Sequence, residues 1–183
     1  AGTLLCMVAA TGGKVMLKEV MPESIYQVLY KLEECGCQIE TQKDSIILQS
    51  PKKLKATNIK TMPYPGFPTD MQSVFGSMMT VARGTSVVVE NIFENRFRYM
   101  NELKRMGAKV TVEGKTAIIK GSKKLLGAEV EAADLRGGAA LILAGLVARG
   151  KTKVNHIEYV LRGYEKLDKK LQTLGAQIKK EES

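Results

Sequence analysis

The chain has 183 residues and a net charge of +9, with 44% hydrophobic and 5% aromatic residues. Such an apolar content can bury a sizeable core, which excludes a disordered protein, and no apolar run reaches the length of a membrane span. The positive charge favours an anionic partner, whether nucleic acid, a membrane surface or a phosphorylated small molecule. Few aromatic residues and the lack of a basic block argue against nucleic acid. A solvated basic surface is the alternative.

The first predicted element is an apolar helix over Thr3 to Ala10, which we expect to be buried on all sides. A short strand follows Gly13, and an amphipathic helix then stops at Gly36, where a left-handed residue is needed. An alternating hairpin over Gln38 to Gln49 and one strand around Ile59 complete this first unit.

The same order of elements returns in residues 66–131. Apolar residues at helical spacing predict a helix over Met71 to Ala82, which begins with a capping box over residues 69–72. The second helix of the unit stops at Gly107, and the clearest hairpin of the chain follows over residues 109–119.

A third unit, residues 132–183, contains an apolar helix over Leu135 to Val147, a strand and a helix that stops at Gly175, but no hairpin follows. Self-similarity at a fixed period indicates a repeat architecture. We therefore predict one α/β domain over 1–183, built as a three-fold repeat of βαβαββ-type units over 1–65, 66–131 and 132–183. Three parallel helices are expected inside and the sheets outside, as in an inside-out α/β barrel. Because the third unit is incomplete, we expect the chain to be a piece of a longer protein.

Charged residues occupy matching positions in the second and third units. Asp70 and Asp134 start the two apolar helices, and Arg96 and Arg162 each lie 12 residues after the glycine that precedes a strand. Ile25 holds this position in the first unit, so the repeat itself does not require arginine. If the buried helices are parallel, their amino ends meet on one electropositive rim, and arginine binds phosphate or carboxylate through two hydrogen bonds. The pattern predicts an anion site.

Each of these residues also has a purely structural interpretation. An Asp at a helix start is favoured by capping and by the helix dipole alone. Arg96 or Arg162 could pair with a surface carboxylate, and Phe93 could belong to the core. The glycines in the first turn of the third apolar helix, Gly137-Gly138, favour close helix packing over ligand approach.

Four segments resemble motifs of the enolpyruvyl transferases that act on UDP-N-acetylglucosamine, and they occur in the family's order along the whole chain. They are Pro65 to Gln72, Ile92 to Phe97, Asp134 to Arg136, and His156 to Glu165. The first two motifs are specific. The signature of the sister enzymes that make 5-enolpyruvylshikimate 3-phosphate is not recognisable.

The resemblance implies an enzyme of two three-fold domains with its active site in the cleft between them. The reaction would transfer enolpyruvyl from phosphoenolpyruvate to the 3-hydroxyl of UDP-N-acetylglucosamine and release phosphate, the first committed step of peptidoglycan synthesis. No cofactor, metal, nucleic acid or membrane partner is implied, and the location would be cytoplasmic.

Motif matching assigns catalytic roles to three residues of this chain. Asp70 would contact the 3-hydroxyl as general base, which suits an alcohol that must lose a proton as it attacks. Arg162 would hold phosphoenolpyruvate or the charged intermediate. Asp134 would lie across the cleft from the catalytic loop of the other domain.

The same matching assigns substrate contacts to the second motif. Ile92 would touch the nucleotide sugar, with Phe93 and Glu94 close by, and Arg96 would act with Arg162 on the anionic substrate.

The family's reactive cysteine belongs to the other domain, and Cys6, Cys35 and Cys37 do not match its loop. We interpret these three as ordinary thiols in a reducing compartment. The chain alone is expected to be inactive without the amino-terminal catalytic domain.

Two other functions remain open. A non-catalytic basic α/β module could bind a phosphorylated ligand or RNA, since RNA phosphate cyclases share this repeat architecture. A structural dimer could pack the open third units of two copies together.

Overall fold

The computed structural model describes residues 1–181, and its elements follow the predicted order. The first unit contains helix α1 (Gly2–Thr11), strand β1 (Lys14–Lys18), a 3₁₀ helix (Pro22–Ile25), helix α2 (Tyr26–Glu34) and strands β2 (Gln38–Gln42), β3 (Ser45–Gln49) and β4 (Ile59–Lys60).

The second unit repeats this order around its own central helix. It contains helix α3 (Thr69–Met79), strand β5 (Thr85–Val89), helix α4 (Arg98–Arg105) and strands β6 (Lys109–Glu113), β7 (Thr116–Lys120), β8 (Leu125–Leu126) and β9 (Glu129–Glu131).

The third unit is shorter. It contains helix α5 (Leu135–Val147), strands β10 (Ala148–Arg149) and β11 (Lys153–Asn155), and helices α6 (Glu158–Leu161) and α7 (Leu167–Thr173).

Helices α1, α3 and α5 form the centre of the molecule and pack against one another. They are largely buried because each is covered by the other two and by the outer layer of sheets and helices. One polar side chain of this core bonds from helix to helix: the Ser77 hydroxyl of α3 donates to the Ala140 carbonyl of α5 at 2.7 Å. The predicted α/β architecture of inner helices and outer sheets is confirmed.

The sheets connect consecutive units. In the second unit the strand order is β4-β5-β7-β6, so β4 of the first unit pairs in parallel with β5, whose other neighbour β7 is antiparallel. Strand β9 likewise leaves the second unit to pair in parallel with β11. The first and second units therefore each contribute their last strand to the sheet of the next unit.

The predicted helix stops are confirmed by backbone geometry. Gly36, Gly107 and Gly175 have φ values of 96°, 89° and 92°, a left-handed conformation that costs glycine little.

The predicted capping box at residues 69–72 is wrong. Pro68 is the residue before the helix, and no side chain caps it. Thr69 is the first residue of the helix and not its cap, and its hydroxyl donates to Glu90 Oε2 at 2.9 Å. The helix is also shorter than predicted, since residues 80–82 form tighter turns after Met79.

Within residues 1–181 the third unit has no antiparallel hairpin: β11 pairs with β9, and β1 pairs with β3. A groove of about 1080 Å³ lies between β1 and β11, and residues of α1 and α5 form its base. None of the helices in the described part of the chain is both long and apolar enough to cross a membrane.

Candidate functional site

The amino ends of the three central helices come together on one face, which we call the rim (residues 2–3, 69–71 and 134–136). A methyl group placed on Gly2 of α1 would lie 2.9 Å from Met71 Sδ of α3. At the next junction, Arg136 of α5 meets Asp70 of α3. The first turns of parallel helices present free N–H groups, so this face favours anions.

Asp70 and Arg136 form an ion pair across the rim. Arg136 Nε lies 2.5 Å from Asp70 Oδ1, although the N–H is not aimed at the oxygen as a hydrogen bond requires. The contact with Arg136 lowers the pKa of Asp70, and the more distant charge of Arg96 adds to this effect. Asp70 is therefore an exposed carboxylate at neutral pH and can accept a proton.

Asp134 caps helix α5. Its Oδ1 accepts the backbone N–H groups of Arg136 at 2.9 Å and of Gly137 at 2.8 Å. The structural interpretation of this residue, as a helix cap, is thereby confirmed. By fixing the first turn of α5, the cap also fixes the backbone that carries Arg136.

The segment 91–97, between β5 and α4, carries the second motif. Ile92 and Phe93 are 37% and 49% exposed, so the interpretation of Phe93 as a core residue is wrong. The Arg96 guanidinium lies 4.5 Å from the centroid of the Phe93 ring. Glu94 is exposed and forms no hydrogen bond or ion pair with the part of the chain that the structure describes.

Arg162 lies close to the rim because the next residue, Gly163, packs on the first turn of α5. Gly163 packs on α5 so closely that a methyl group there would lie 2.7 Å from Leu135 Cδ2. The Arg162 guanidinium lies 5.5 Å from the centroid of the Tyr159 ring. Among residues 1–181, neither Arg96 nor Arg162 forms an ion pair with a carboxylate, so the alternative of surface pairing finds no support.

The two arginine–aromatic pairs are related by the repeat. Phe93 to Tyr159 and Arg96 to Arg162 are both 66 residues apart, as are Gly84 and Gly150. A guanidinium over a ring gains a cation–π attraction and loses side-chain freedom. Matching positions of two units thus present similarly held cations.

Helix α1 is hydrogen-bonded to Tyr164, which lies two residues after Arg162. Thr3 Oγ1 and the Tyr164 hydroxyl are 3.0 Å apart and hydrogen-bonded. Burial raises the pKa of Tyr164, so its hydroxyl stays neutral at physiological pH and keeps this link between α1 and the Arg162 segment.

Sequence reasoning missed two residues of this site. Arg136 lies within the third motif and in the first turn of a predicted helix, and both features could have marked it as a site residue. Glu90 follows the Val87 to Val89 strand and is buried beneath segment 91–97. In the sequence, Glu90 could have been recognised as a site residue from its position just before the second motif.

The rim combines the exposed carboxylate of Asp70, the guanidinium of Arg136 and three helix amino ends, and Arg96 and Arg162 lie on neighbouring segments. This combination can bind an anion and remove a proton from a neutral group beside it. The groove of about 1080 Å³ is lined by none of the predicted site residues. It lies at the carboxyl ends of α1 and α5, so it is separate from the rim.

Solved structures share the fold of this chain. The crystal structure of the enolpyruvyl transferase NikO from Streptomyces tendae aligns with a TM-score of 0.84 at 22% identity, over 97% of this chain and 43% of that one. EPSP synthase from Acinetobacter baumannii aligns with a TM-score of 0.60 at 19% identity, over 90% of this chain and 41% of that one.

The family model for EPSP synthase (3-phosphoshikimate 1-carboxyvinyltransferase) matches residues 1–180. The chain therefore belongs to this enolpyruvyl transferase family, and the predicted resemblance is confirmed.

Relatives with higher identity have a more specific name. UDP-N-acetylglucosamine 1-carboxyvinyltransferase 1 of Caldanaerobacter subterraneus is 52% identical over 97% of this chain and 43% of the relative. The UDP-N-acetylglucosamine 1-carboxyvinyltransferase of Myxococcus xanthus is 50% identical over 100% of this chain and 44% of the relative. That of Desulfofundulus thermocisternus is 48% identical over 97% of this chain and 73% of the relative. The chain thus spans less than half the length of the first two.

Proposed function

We propose that the chain is one half of a UDP-N-acetylglucosamine 1-carboxyvinyltransferase, which transfers enolpyruvyl from phosphoenolpyruvate to the 3-hydroxyl of the nucleotide sugar. The observation that carries this proposal is the ionised Asp70 beside Arg136 on an electropositive rim, in a chain 52% identical to a relative of that name. The reaction needs both a base for an alcohol and cations for two anionic groups, and the rim offers both.

Asp70 accepts the proton of the 3-hydroxyl as that oxygen bonds to C2 of phosphoenolpyruvate, whose double bond takes up a proton at C3. Loss of phosphate from C2 and of a proton from C3 then restores the double bond in the product. Arg96, Arg136 and Arg162 neutralise the carboxylate and the phosphate that departs. Arg136 links these two roles, because an anionic substrate competes with Asp70 for its guanidinium. When the substrate takes up Arg136, the pKa of Asp70 rises and the carboxylate becomes a stronger base.

The nucleotide sugar lies against segment 91–97. Ile92 and Phe93 offer exposed apolar side chains to it, and Glu94 provides a free carboxylate for a sugar hydroxyl. Asp134 faces the second half of the enzyme. No metal or other cofactor takes part in this scheme, which uses only side chains and substrates.

The partner of this half is an amino-terminal catalytic domain, which closes the cleft over the rim. The free edges of β1 and β11 along the groove suit strands donated by that part of the enzyme. The reaction belongs to peptidoglycan synthesis, and we place it in the cytoplasm, where the three buried free thiols stay reduced.

A chimera tests the proposal. The region of the Caldanaerobacter subterraneus relative that matches this chain is replaced by the chain itself, and phosphate release is followed with phosphoenolpyruvate and UDP-N-acetylglucosamine. We expect activity, and we expect Asp70→Asn to reduce kcat at least about 100-fold, the size of a general-base contribution. Asp44→Asn, at an exposed hairpin turn, is the matched control and should retain activity.

A folded but inactive chimera would refute the proposal. Salt-dependent binding of RNA by the same protein would then favour the basic binding module instead.

A further inference from the structure

Glu90 is a buried carboxylate with no cation beside it. It follows β5, is 2% exposed, and forms no ion pair within residues 1–181. Burying a charge is costly unless hydrogen bonds replace its water. The surroundings of Glu90 must therefore supply donors, and its position directly beneath the proposed substrate segment makes the identity of those donors important.

Four donors from three segments satisfy this carboxylate. Oε1 accepts the Thr61 hydroxyl at 2.8 Å and the backbone N–H groups of Ile92 at 2.8 Å and Phe93 at 3.1 Å. Oε2 accepts the Thr69 hydroxyl at 2.9 Å. One side chain thus joins the end of β4, the start of α3 and segment 91–97.

A second link strengthens the same junction. The Thr61 hydroxyl, which donates to Glu90, accepts the backbone N–H of Asn91 at 2.8 Å. Three consecutive amides, of residues 91, 92 and 93, are therefore bound inward. Because these amides are occupied, Ile92 and Phe93 can contact a ligand only through their side chains or carbonyl oxygens.

We infer that Glu90 is a positioning residue that holds segment 91–97 and the start of α3 as one unit, so that Ile92 and Phe93 keep a fixed relation to Asp70, the residue after Thr69. Glu90 is covered by these residues and acts through them. The assignment of the held ligand as a nucleotide sugar rests on the proposed function, whereas the anchoring itself does not.

Amide hydrogen exchange in the 183-residue chain tests the anchoring. Glu90→Gln keeps the side-chain volume but replaces charge-assisted hydrogen bonds by weaker neutral ones. We expect the Ile92 and Phe93 amides to exchange about tenfold faster, with the core amide of Val88 unchanged. Glu102→Gln is the matched control, because the Glu102 carboxylate also accepts a backbone N–H, that of Glu131, at 3.1 Å.

Thr61→Val provides a milder variant, should Glu90→Gln not fold. It removes one hydroxyl at nearly constant volume, so the Asn91 amide should exchange about tenfold faster while Ile92 and Phe93 remain bound to Glu90. Unchanged exchange at residues 91–93 in these variants would overturn the anchoring.

Steady-state kinetics of the chimera test the consequence for substrate. Glu90→Gln should raise the KM for UDP-N-acetylglucosamine about tenfold, with a smaller change in kcat, because a loosened segment binds the sugar less well. Faster exchange at residues 92 and 93 with an unchanged KM would overturn the positioning role. An inactive wild-type chimera would instead refute the proposed function, and the exchange rates would still decide the anchoring.

Discussion

Arg136 Nε lies 2.5 Å from Asp70 Oδ1, and this ion pair joins the first turns of helices α3 and α5. Sequence distance hides the relationship, since the two residues belong to different repeat units. The pair makes the basicity of Asp70 depend on the position of a cation that an anionic ligand can withdraw. The pKa of Asp70 therefore depends on whether Arg136 stays paired with it.

Arg136→Gln should raise the pKa of Asp70 toward its ordinary value of 3.8, because the contact with Arg136 is the main cause of its lowering. The change can be followed by carbon-13 NMR titration of the Asp70 carboxyl. Arg105→Gln is the matched control, because Arg105 pairs with Glu102 at 2.9 Å on the surface and should leave Asp70 unaffected. An unchanged titration in Arg136→Gln would contradict the ion pair.

The same variant has a defined effect on stability against pH. A carboxyl whose pKa is lowered by folding stabilises the folded state above its unfolded pKa, and this contribution disappears as the pH falls through the folded pKa. The stability difference between wild type and Arg136→Gln should thus be complete above about pH 4 and shrink below it. Urea unfolding at pH 7, 4 and 2.5 measures this difference, which should be modest because Asp70 is exposed.

Gly138 allows helix α6 to approach α5. A methyl group at this position would overlap Val160 Cγ2 and lie 3.1 Å from Ala132 Cβ. We expect Gly138→Ala to destabilise the chain by about 1–3 kcal/mol through overpacking, measured by urea unfolding.

Gly137→Ala is the matched comparison for this substitution. Its methyl group would come no closer than 3.3 Å to a neighbour, and alanine is the better helix former. It should therefore cost less than Gly138→Ala. Combining Gly138→Ala with Val160→Ala should cost less than the sum of the single changes, since the second removes the overlapping methyl groups. Strict additivity would show that Val160 is not the obstacle.

Asp134 allows capping and catalysis to be separated. Asp134→Ala should lose about 1 kcal/mol of stability because Arg136 and Gly137 lose their N–H acceptor. Asp134→Asn should keep the stability within about 0.5 kcal/mol, since asparagine caps helices equally well. If the carboxylate also acts in the reaction, the Asn variant of the chimera should lose activity at unchanged stability. Full activity in that variant would leave Asp134 with its capping role alone.

The aromatic partners of the two arginines can be tested in parallel. Phe93→Leu and Tyr159→Leu should each raise the KM of the chimera for phosphoenolpyruvate about two- to fivefold, which corresponds to one exposed cation–π contact that no longer holds the guanidinium. Tyr30→Leu, whose ring lies 5.8 Å from Lys31 Nζ on an outer helix, should leave the KM unchanged. Equal effects of all three changes would indicate a general loss of stability rather than a role for the ring.

Local sequence patterns predicted much of the fold. The glycines at 36, 107 and 175 predicted where three helices stop, since the left-handed conformation there is a property of the single residue. The apolar periodicity predicted three central helices, and alternation predicted both hairpins, because each pattern follows from one element meeting a core. The capping box failed because the helix begins one residue earlier than that motif requires, at Thr69 itself, and the Thr69 hydroxyl donates to Glu90, 21 residues away.

The candidate site divides in the same way. The sequence by itself singled out the charged residues Asp70, Arg96, Asp134 and Arg162, since the repeat makes equivalent positions comparable, and their roles are what the resemblance implies. The tertiary structure alone decided which of these charges meet. Arg136 reaches Asp70, and Glu90 gathers three segments, because the helices converge in space, and such contacts depend on packing geometry that no local spacing in a single chain records.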